Sequence, residues 1–342
     1  MRSGNEIMLS IIKRVVFFYV GKLFIISFVF PANLSLVHGD TLPCPLTNQK
    51  QILKNLNKAI GPYKYDLTEL NQWFSSQRPY KGVSLLIHGL NNKPSTMNAL
   101  ALHLSTLGHA TLRGSLRGHR GSLKEGQNVT VSQWREDVDL LYCLALLKSQ
   151  YLKVPLNISC YSMGCLLFLD LFKRIKSLQQ DNMVERAIFI SPAIKVKPEL
   201  SWLSHLFKML PSDWMIPSSN IKLYRSQNGT SVSSYKAFFE LLDENHSIDF
   251  LGPKSFGLPK ILTLLNPKDE LVDAKSIIKL FRKMPKEQTW VKLIEIENKN
   301  ATTIKHINHL LLDEDSLGKL KWQEWKEHIS LFLKEGKRAT LY

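Results

Sequence analysis

Cysteine is scarce in this chain, with four residues among 342. So few do not make a secreted scaffold held together by disulfides. Cys143, Cys160 and Cys165 fall within apolar surroundings, where a free thiol packs as a small hydrophobe. Cys44 stands apart, and its partner is not readable from sequence. Metal-ligand spacing is nearly absent too. His306 and His309 are spaced like a pair, but no matching Cys/His set occurs elsewhere, which argues against a zinc site. There are no heptads, internal repeats or low-complexity tracts, so coiled coils and solenoids are set aside. No acidic residue occurs between Glu69 and Glu125. Finally, no apolar run is long enough for a comfortable membrane span, because Lys22 splits the first one.

That split run still carries information. Lys13 and Arg14 precede Val15–Val20, then Gly21-Lys22, then Leu23–Phe30, and Pro31 follows. Val37-His38-Gly39 offers compact residues at a cleavage boundary. Residues 1–39 are therefore expected to be a secretory signal peptide, with an uncleaved N-terminal anchor as the alternative. The stretch is more apolar than amphipathic, which disfavours a mitochondrial presequence. Asp40-Thr41-Leu42-Pro43 does not suit a lipidated Cys44. The expected location is the periplasm or outside the cell.

The net charge is +16, and its distribution says more than its total. The acid-free stretch holds Arg78, Lys81, Lys93, Arg113, Arg117, Arg120 and Lys124. Two readings stand side by side, attraction of an anionic substrate or membrane surface and a solvated basic face. No nucleic-acid-binding motif accompanies it, so no nucleic-acid partner is expected.

The densest chemical signal is Cys160-Tyr161-Ser162-Met163-Gly164. An apolar run, Val154–Ser159, leads into it, and Cys165–Phe172 continues with helical periodicity. A buried strand, a Ser, a Gly two residues on and a helix describe a nucleophile elbow. Cys160 stands where that motif has Gly. Upstream, the apolar run Lys81–Ile87 ends in His88-Gly89-Leu90. Acyl transfer needs two backbone N–H groups aimed at the developing oxyanion. Leu90 and Met163 are the candidates. Downstream, the strand-like Lys260–Leu265 runs into Asn266-Pro267-Lys268-Asp269-Glu270-Leu271-Val272-Asp273. Asp269 is favoured as the acid that orients a base, with Asp273 and Glu270 as rivals. After an alternating run, Thr289–Ile296, come His306 and His309. His309 is favoured as the base because Leu310-Leu311-Leu312 would anchor its backbone.

Over about residues 80–335 the chain resembles the α/β-hydrolase superfamily, in its monoacylglycerol-lipase, lysophospholipase and carboxylesterase-like branch. His88-Gly89 matches the oxyanion-loop signature. Arg117-Gly118-His119-Arg120-Gly121-Ser122 matches the branch's R-G-H-G-x-S loop, with Arg120 displacing the central Gly. Trp134-Arg135-Glu136-Asp137 is similar to the W-x-x-D at the start of the helix before the elbow. Asn266–Val272 is similar to the acid loop, and the order Ser, Asp, His is kept. The resemblance implies a mainly parallel sheet flanked by helices and a catalytic domain over 81–342. It also implies ester hydrolysis of lipid-like acyl substrates without cofactor or metal.

Residues 40–80 read as a lead-in, helical over Asn48–Ile60 and Leu67–Phe74. From Val83 onward strands and helices alternate, as in an α/β fold. The alternation breaks over about 192–259. An insertion there would lie over the strand ends as a lid. Its Trp202, Leu206 and Met209 recur at helical spacing and give an apolar face. Trp202, Leu206 and Trp214 are candidate substrate contacts, as are His88, Arg117 and Arg120. The expected function is an exported serine hydrolase of lipid-like esters, in contact with a membrane surface. The alternatives are a thioesterase or peptidase with the same triad, and an inactive hydrolase fold used for binding.

Overall fold

The computed structural model describes residue 44 and residues 63–177, 183–245, 258–285, 289–295 and 307–335. The segment expected as a signal peptide, the helix expected over Asn48–Ile60, and His306 lie outside the described residues.

Among the described residues seven strands share one sheet, in the order β1-β3-β2-β4-β5-β8-β9. These are β1 (Gln72–Phe74), β2 (Gly82–Ile87), β3 (His109–Arg113), β4 (Leu156–Tyr161), β5 (Val184–Ile190), β8 (Lys260–Leu265) and β9 (Thr289–Leu293). β1 is antiparallel to its neighbour and the other pairs are parallel. Every residue of β2 and β4 is buried, as expected for parallel strands covered on both faces. This is the α/β-hydrolase fold.

The helices explain that coverage. α1 (Asn98–Thr106) and α7 (Lys319–Glu335) belong to one side, where Leu100, Leu104, Trp325 and Ile329 join Leu86, Ile188 and Leu262 in one apolar cluster. α2 (Val131–Leu152) starts at a Thr130/Gln133 capping box and buries the stripe Trp134, Val138, Leu141 and Ala145. α3 (Met163–Ser177) presents Phe168 edge-on to Phe189 of β5, which in turn meets Phe281 at the end of α6 (Ala274–Phe281).

The segment between β5 and β8 carries α4 (Leu203–Met209), the separate hairpin β6 (Met215–Pro217) with β7 (Gly229–Ser231), and α5 (Val232–Glu244). Here the expected apolar face is corrected. Trp202 and Met209 are exposed, whereas Leu203 and Phe207 are buried. The inward stripe is turned by one residue because Phe207 lies flat on Tyr235 of α5, with ring centroids 4.5 Å apart.

A second correction concerns Leu67–Phe74. A short 3-10 turn, Leu67–Glu69, capped by Asp66, gives way to β1. The local periodicity suits a helix. The open edge of β3 instead offers backbone partners, pairing Gln72 with Arg113 and Phe74 with Thr111. A third correction concerns the thiols. Cys143, Cys160 and Cys165 do sit in the core, but none is free: Cys44 pairs with Cys143 and Cys160 with Cys165.

The Cys44–Cys143 bond spans a sequence separation of 99 residues. Cross-linking so long a loop restricts the unfolded chain. Cys44→Ser should therefore lower stability by about 2–4 kcal/mol, measured by urea unfolding without reductant. An unchanged midpoint would mean that the bond contributes nothing.

Candidate active site

β4 ends at Tyr161 and α3 begins at Met163, so the chain reverses direction at Ser162 alone. Ser162 holds φ at +51°, a left-handed value that non-glycine residues rarely adopt. Its N–H donates to Ile190 O at 3.0 Å, and its own carbonyl accepts from Cys165 and Ala193, each at 3.1 Å. These bonds hold the strained turn in place. The turn packs so tightly that a Cβ at Gly164 would strike the carbonyls of Ile87 and His88. A Cβ at Gly89 would meet the Tyr161 ring at 2.9 Å and Ser162 Cβ at 3.0 Å. The loop after β2 therefore lies directly against the elbow, with Leu90 next in chain. Met163 opens α3, so its N–H has no carbonyl one turn back.

Ser162, Asp269 and His309 come together although 147 residues separate the first and last. His309 Nε2 lies 2.9 Å from Ser162 Oγ, and His309 Nδ1 lies 2.8 Å from Asp269 Oδ2. Asp269 Oδ1 accepts the N–H groups of Leu271 and Val272 at 2.8 and 3.0 Å. The tight turn after β8 thus fixes the carboxylate before it meets the imidazole. All three residues are buried. Burial opposes a charged imidazolium, but the Asp269 carboxylate and then Glu270 outweigh it, so the His309 pKa stands above its ordinary value.

Neither rival takes the imidazole Nδ1. Asp273 caps α6, accepting from Ser276 N–H at 3.0 Å. Glu270 lies close enough to His309 for the two charges to act on each other, but Nδ1 is held by Asp269. Burial and then the Asp269 charge push its pKa up. Two residues near the line escaped the sequence reading. The Tyr161 hydroxyl donates to His309 O at 3.3 Å and its ring packs on the imidazole. Asn266 donates to Asn308 at 3.2 Å, beside His309. Both lie next to residues already singled out, and that adjacency is the only signal that was available.

The basic stretch is placed differently from expectation. Arg113 and Arg120 are 1% exposed. Arg113 donates to Asn98 Oδ1 and to the carbonyls of Thr68 and Leu70, at 2.5 to 2.6 Å. Arg120 pairs with Glu125 at 3.3 Å and Asp137 at 3.4 Å. Arg117 pairs with Glu136 at 2.6 Å and Asp137 at 3.1 Å. As a group these arginines join the lead-in, the loop after β3 and the start of α2. They do not offer a free field to an anion. His88 is also corrected as a substrate contact, being fully buried with its ring nitrogens turned to the backbone. Trp202 faces solvent, while Leu206 and Trp214 are half-buried. A cavity with room for about one water molecule lies beside Leu90, lined also by Leu123, Met215 and Thr230.

Residues 78–258 match the family model described as serine aminopeptidase, S33. The match includes Ser162 but stops short of Asp269 and His309. A search of curated proteins finds no significant match. Among solved structures, a soluble variant of monoglyceride lipase from Saccharomyces cerevisiae, bound to a substrate analogue, is similar at 15% identity and TM-score 0.62, covering 81% of this chain and 99% of that one. A monoacylglycerol lipase from Paleococcus ferrophilus is similar at 13% identity and TM-score 0.56, covering 78% and 98%. One structure from work on the metagenome-derived lipolytic enzymes LipS and LipT is similar at 15% identity and TM-score 0.58, covering 80% of this chain and 100% of that one.

The arginine placement makes a prediction. Arg120→Gln should cost about 3–5 kcal/mol in urea unfolding, because it removes a buried cation shared by Glu125 and Asp137 and leaves Asp137 with Arg117 alone. KM for an anionic and a neutral ester should change equally. A selective loss of the anionic substrate would restore Arg120 to substrate binding.

Proposed function

The chain belongs to the serine aminopeptidase S33 family of the α/β-hydrolase superfamily, and on that premise we propose that it cleaves carboxylic esters through Ser162, His309 and Asp269. The observation that carries this reading is the unbroken hydrogen-bonded line from Asp269 to His309 to Ser162 Oγ, ending on a left-handed elbow. Asp269 holds the Nδ1–H tautomer of His309, which leaves Nε2 to take the Ser162 proton. Ser162 Oγ attacks the acyl carbon. The carbonyl oxygen becomes an oxyanion facing the Leu90 and Met163 N–H groups. His309 then passes its proton to the departing alcohol, and an acyl group remains on Ser162. Water, deprotonated by His309, repeats the attack and frees the acid.

The substrate class we assign is a lipid-like ester, a monoacylglycerol or lysophospholipid taken from a membrane surface. Support comes from the fold shared with monoglyceride lipases and from the apolar residues between β5 and β8, which serve as a lid over the strand ends. Residues 1–39 act as a signal peptide or anchor. The two disulfides support export, since such bonds persist in oxidising compartments. The family description favours one second reading, cleavage of an N-terminal aminoacyl amide by the same three residues.

Fluorophosphonate labelling tests the nucleophile. Wild type should label and Ser162→Ala should not, with turnover lost by many orders of magnitude and the melting temperature nearly unchanged. His309→Ala should be equally damaging. A tenth of wild-type activity surviving in Ser162→Ala would exclude the mechanism. No labelling of the wild type would indicate an inactive fold used for binding. A panel of monoacylglycerols, lysolipids, thioesters and aminoacyl amides then separates ester from amide chemistry.

The acid limb of kcat/KM offers a further check. His309 must be neutral to accept a proton, so activity falls as pH drops through its pKa. That midpoint should lie above 6.5, the ordinary histidine value. Glu270→Gln removes one raising charge and should shift the limb to lower pH. A shift in the opposite direction would contradict the assigned electrostatics.

A further inference from the structure

Two histidines sit under the loop that supplies the Leu90 N–H, and neither touches the reacting atoms. His88 and His119 are buried with ring centroids 4.7 Å apart. The Leu116 N–H donates to His88 Nε2 at 3.1 Å, and His88 Nδ1–H donates to Gly89 O at 2.9 Å. The Asn91 N–H donates to His119 Nε2 at 2.9 Å, and His119 Nδ1–H donates to Arg117 O at 3.1 Å. Each Nε2 accepts a backbone N–H, so each ring is neutral with its proton on Nδ1. Burial, the main cause, pushes the His119 pKa down to about 4 and that of His88 well below the ordinary value.

These bonds act on the two peptide planes that flank Leu90. Each plane is rigid and trans, so fixing one of its atoms fixes the direction of the rest. His88 holds the Gly89 carbonyl, and the Leu90 N–H must point the opposite way. His119 holds the next plane through the Asn91 N–H. Asn91 needs such a hold, because its φ is +50°. Its other polar groups are bound as well: Oδ1 accepts Gln227 N–H at 2.9 Å, and its carbonyl accepts Ser226 N–H at 3.0 Å. His119 is itself seated by Trp134, whose Nε1–H shares the Arg117 carbonyl at 3.0 Å.

We propose that His119 is a positioning residue for the oxyanion hole, its neutral Nε2 locking the Leu90–Asn91 peptide so that the Leu90 N–H keeps its aim. This rests on Ser162 as the nucleophile and Leu90 as an oxyanion donor. Without an acceptor at Nε2, the Asn91 N–H is left buried and unpaired, and the plane turns to find another partner. The donor then loses its alignment with the transition state, while ground-state binding is little affected.

The test compares His119→Phe with His119→Gln, kcat being normalised to active sites titrated with a fluorophosphonate. Phe fills the space without accepting a hydrogen bond. It should lower kcat about ten- to hundredfold, a share of the loss that follows removal of a whole oxyanion donor, with KM within about threefold. Gln, whose Oε1 reaches the place of Nε2, should recover most of the rate. If the Phe variant keeps wild-type kcat per titrated site and loses only melting temperature, or if Gln is as poor as Phe, the proposal is overturned. A second measurement needs no variant that might fail to fold and no turnover: imidazole 15N NMR of the wild type at neutral pH. Nε2 of His119 should be unprotonated and Nδ1 protonated, and the opposite tautomer would equally overturn the proposal. Failure here with Ser162-dependent turnover intact refutes the role of His119 alone, whereas absence of turnover refutes the hydrolase reading.

Discussion

Ser162 has to reverse the chain within one residue, between a strand and a helix that are both buried, and the remaining geometry is set by how little room that leaves. A left-handed φ on a side chain with a Cβ is tolerated only where neighbours hold it. Here the holding bonds come from Ile190, Cys165 and Ala193. Gly164 and Gly89 exist because the first turn of α3 and the loop after β2 are pressed against this bend. The Cys160–Cys165 bond crosses the same bend, joining the strand end to the first turn of the helix. Cys160 thus occupies a place where a smaller residue was expected, and its side chain is used to tie the turn together.

Charge follows a similar logic. A stretch with seven basic residues and no acidic one looks, read linearly, like an electrostatic funnel. In three dimensions the acids arrive from outside the stretch. Glu125 and Asp137 neutralise Arg120, and Glu69 receives the Ser95 backbone and hydroxyl. Even with arginines beside it, burial pushes the Asp137 carboxyl up to about 6. Such a network is sensitive to the loss of any member, and it lies behind the loop that contains His119. The same scaffold that spaces the basic side chains therefore also seats the His119 imidazole under the loop after β2.

The parts of this fold that were legible in the sequence are those set by local pattern. The apolar Lys260–Leu265 strand and the helix that continues over Cys165–Phe172 both follow from local spacing, and both are buried apart from Lys260. Asp269 and His309 were legible because each follows a strand, in a fixed chain order. The misreadings share a different cause. Phe74 prefers a sheet edge, Leu203 and Phe207 replace Trp202 as the inward face, and Cys143, read as a free thiol, is bonded to Cys44. Each of these depends on a partner far away in sequence, which a local pattern does not contain. Tyr161, Asn91 and His119 were passed over for the same reason. Their importance lies in hydrogen bonds to backbone groups whose positions only the fold defines.

The distance in sequence between Ser162 and His309, 147 residues, also has a consequence for biosynthesis. Ser162 leaves the ribosome well before His309 does, and β8, which leads to Asp269, follows between them. A nascent chain holding only the first part carries the elbow serine without the imidazole that its hydroxyl meets in the folded protein. The line from Asp269 to His309 to Ser162 therefore closes only when the segments after β5 dock on the sheet, so the surroundings of the elbow serine are completed by the late-made part of the chain.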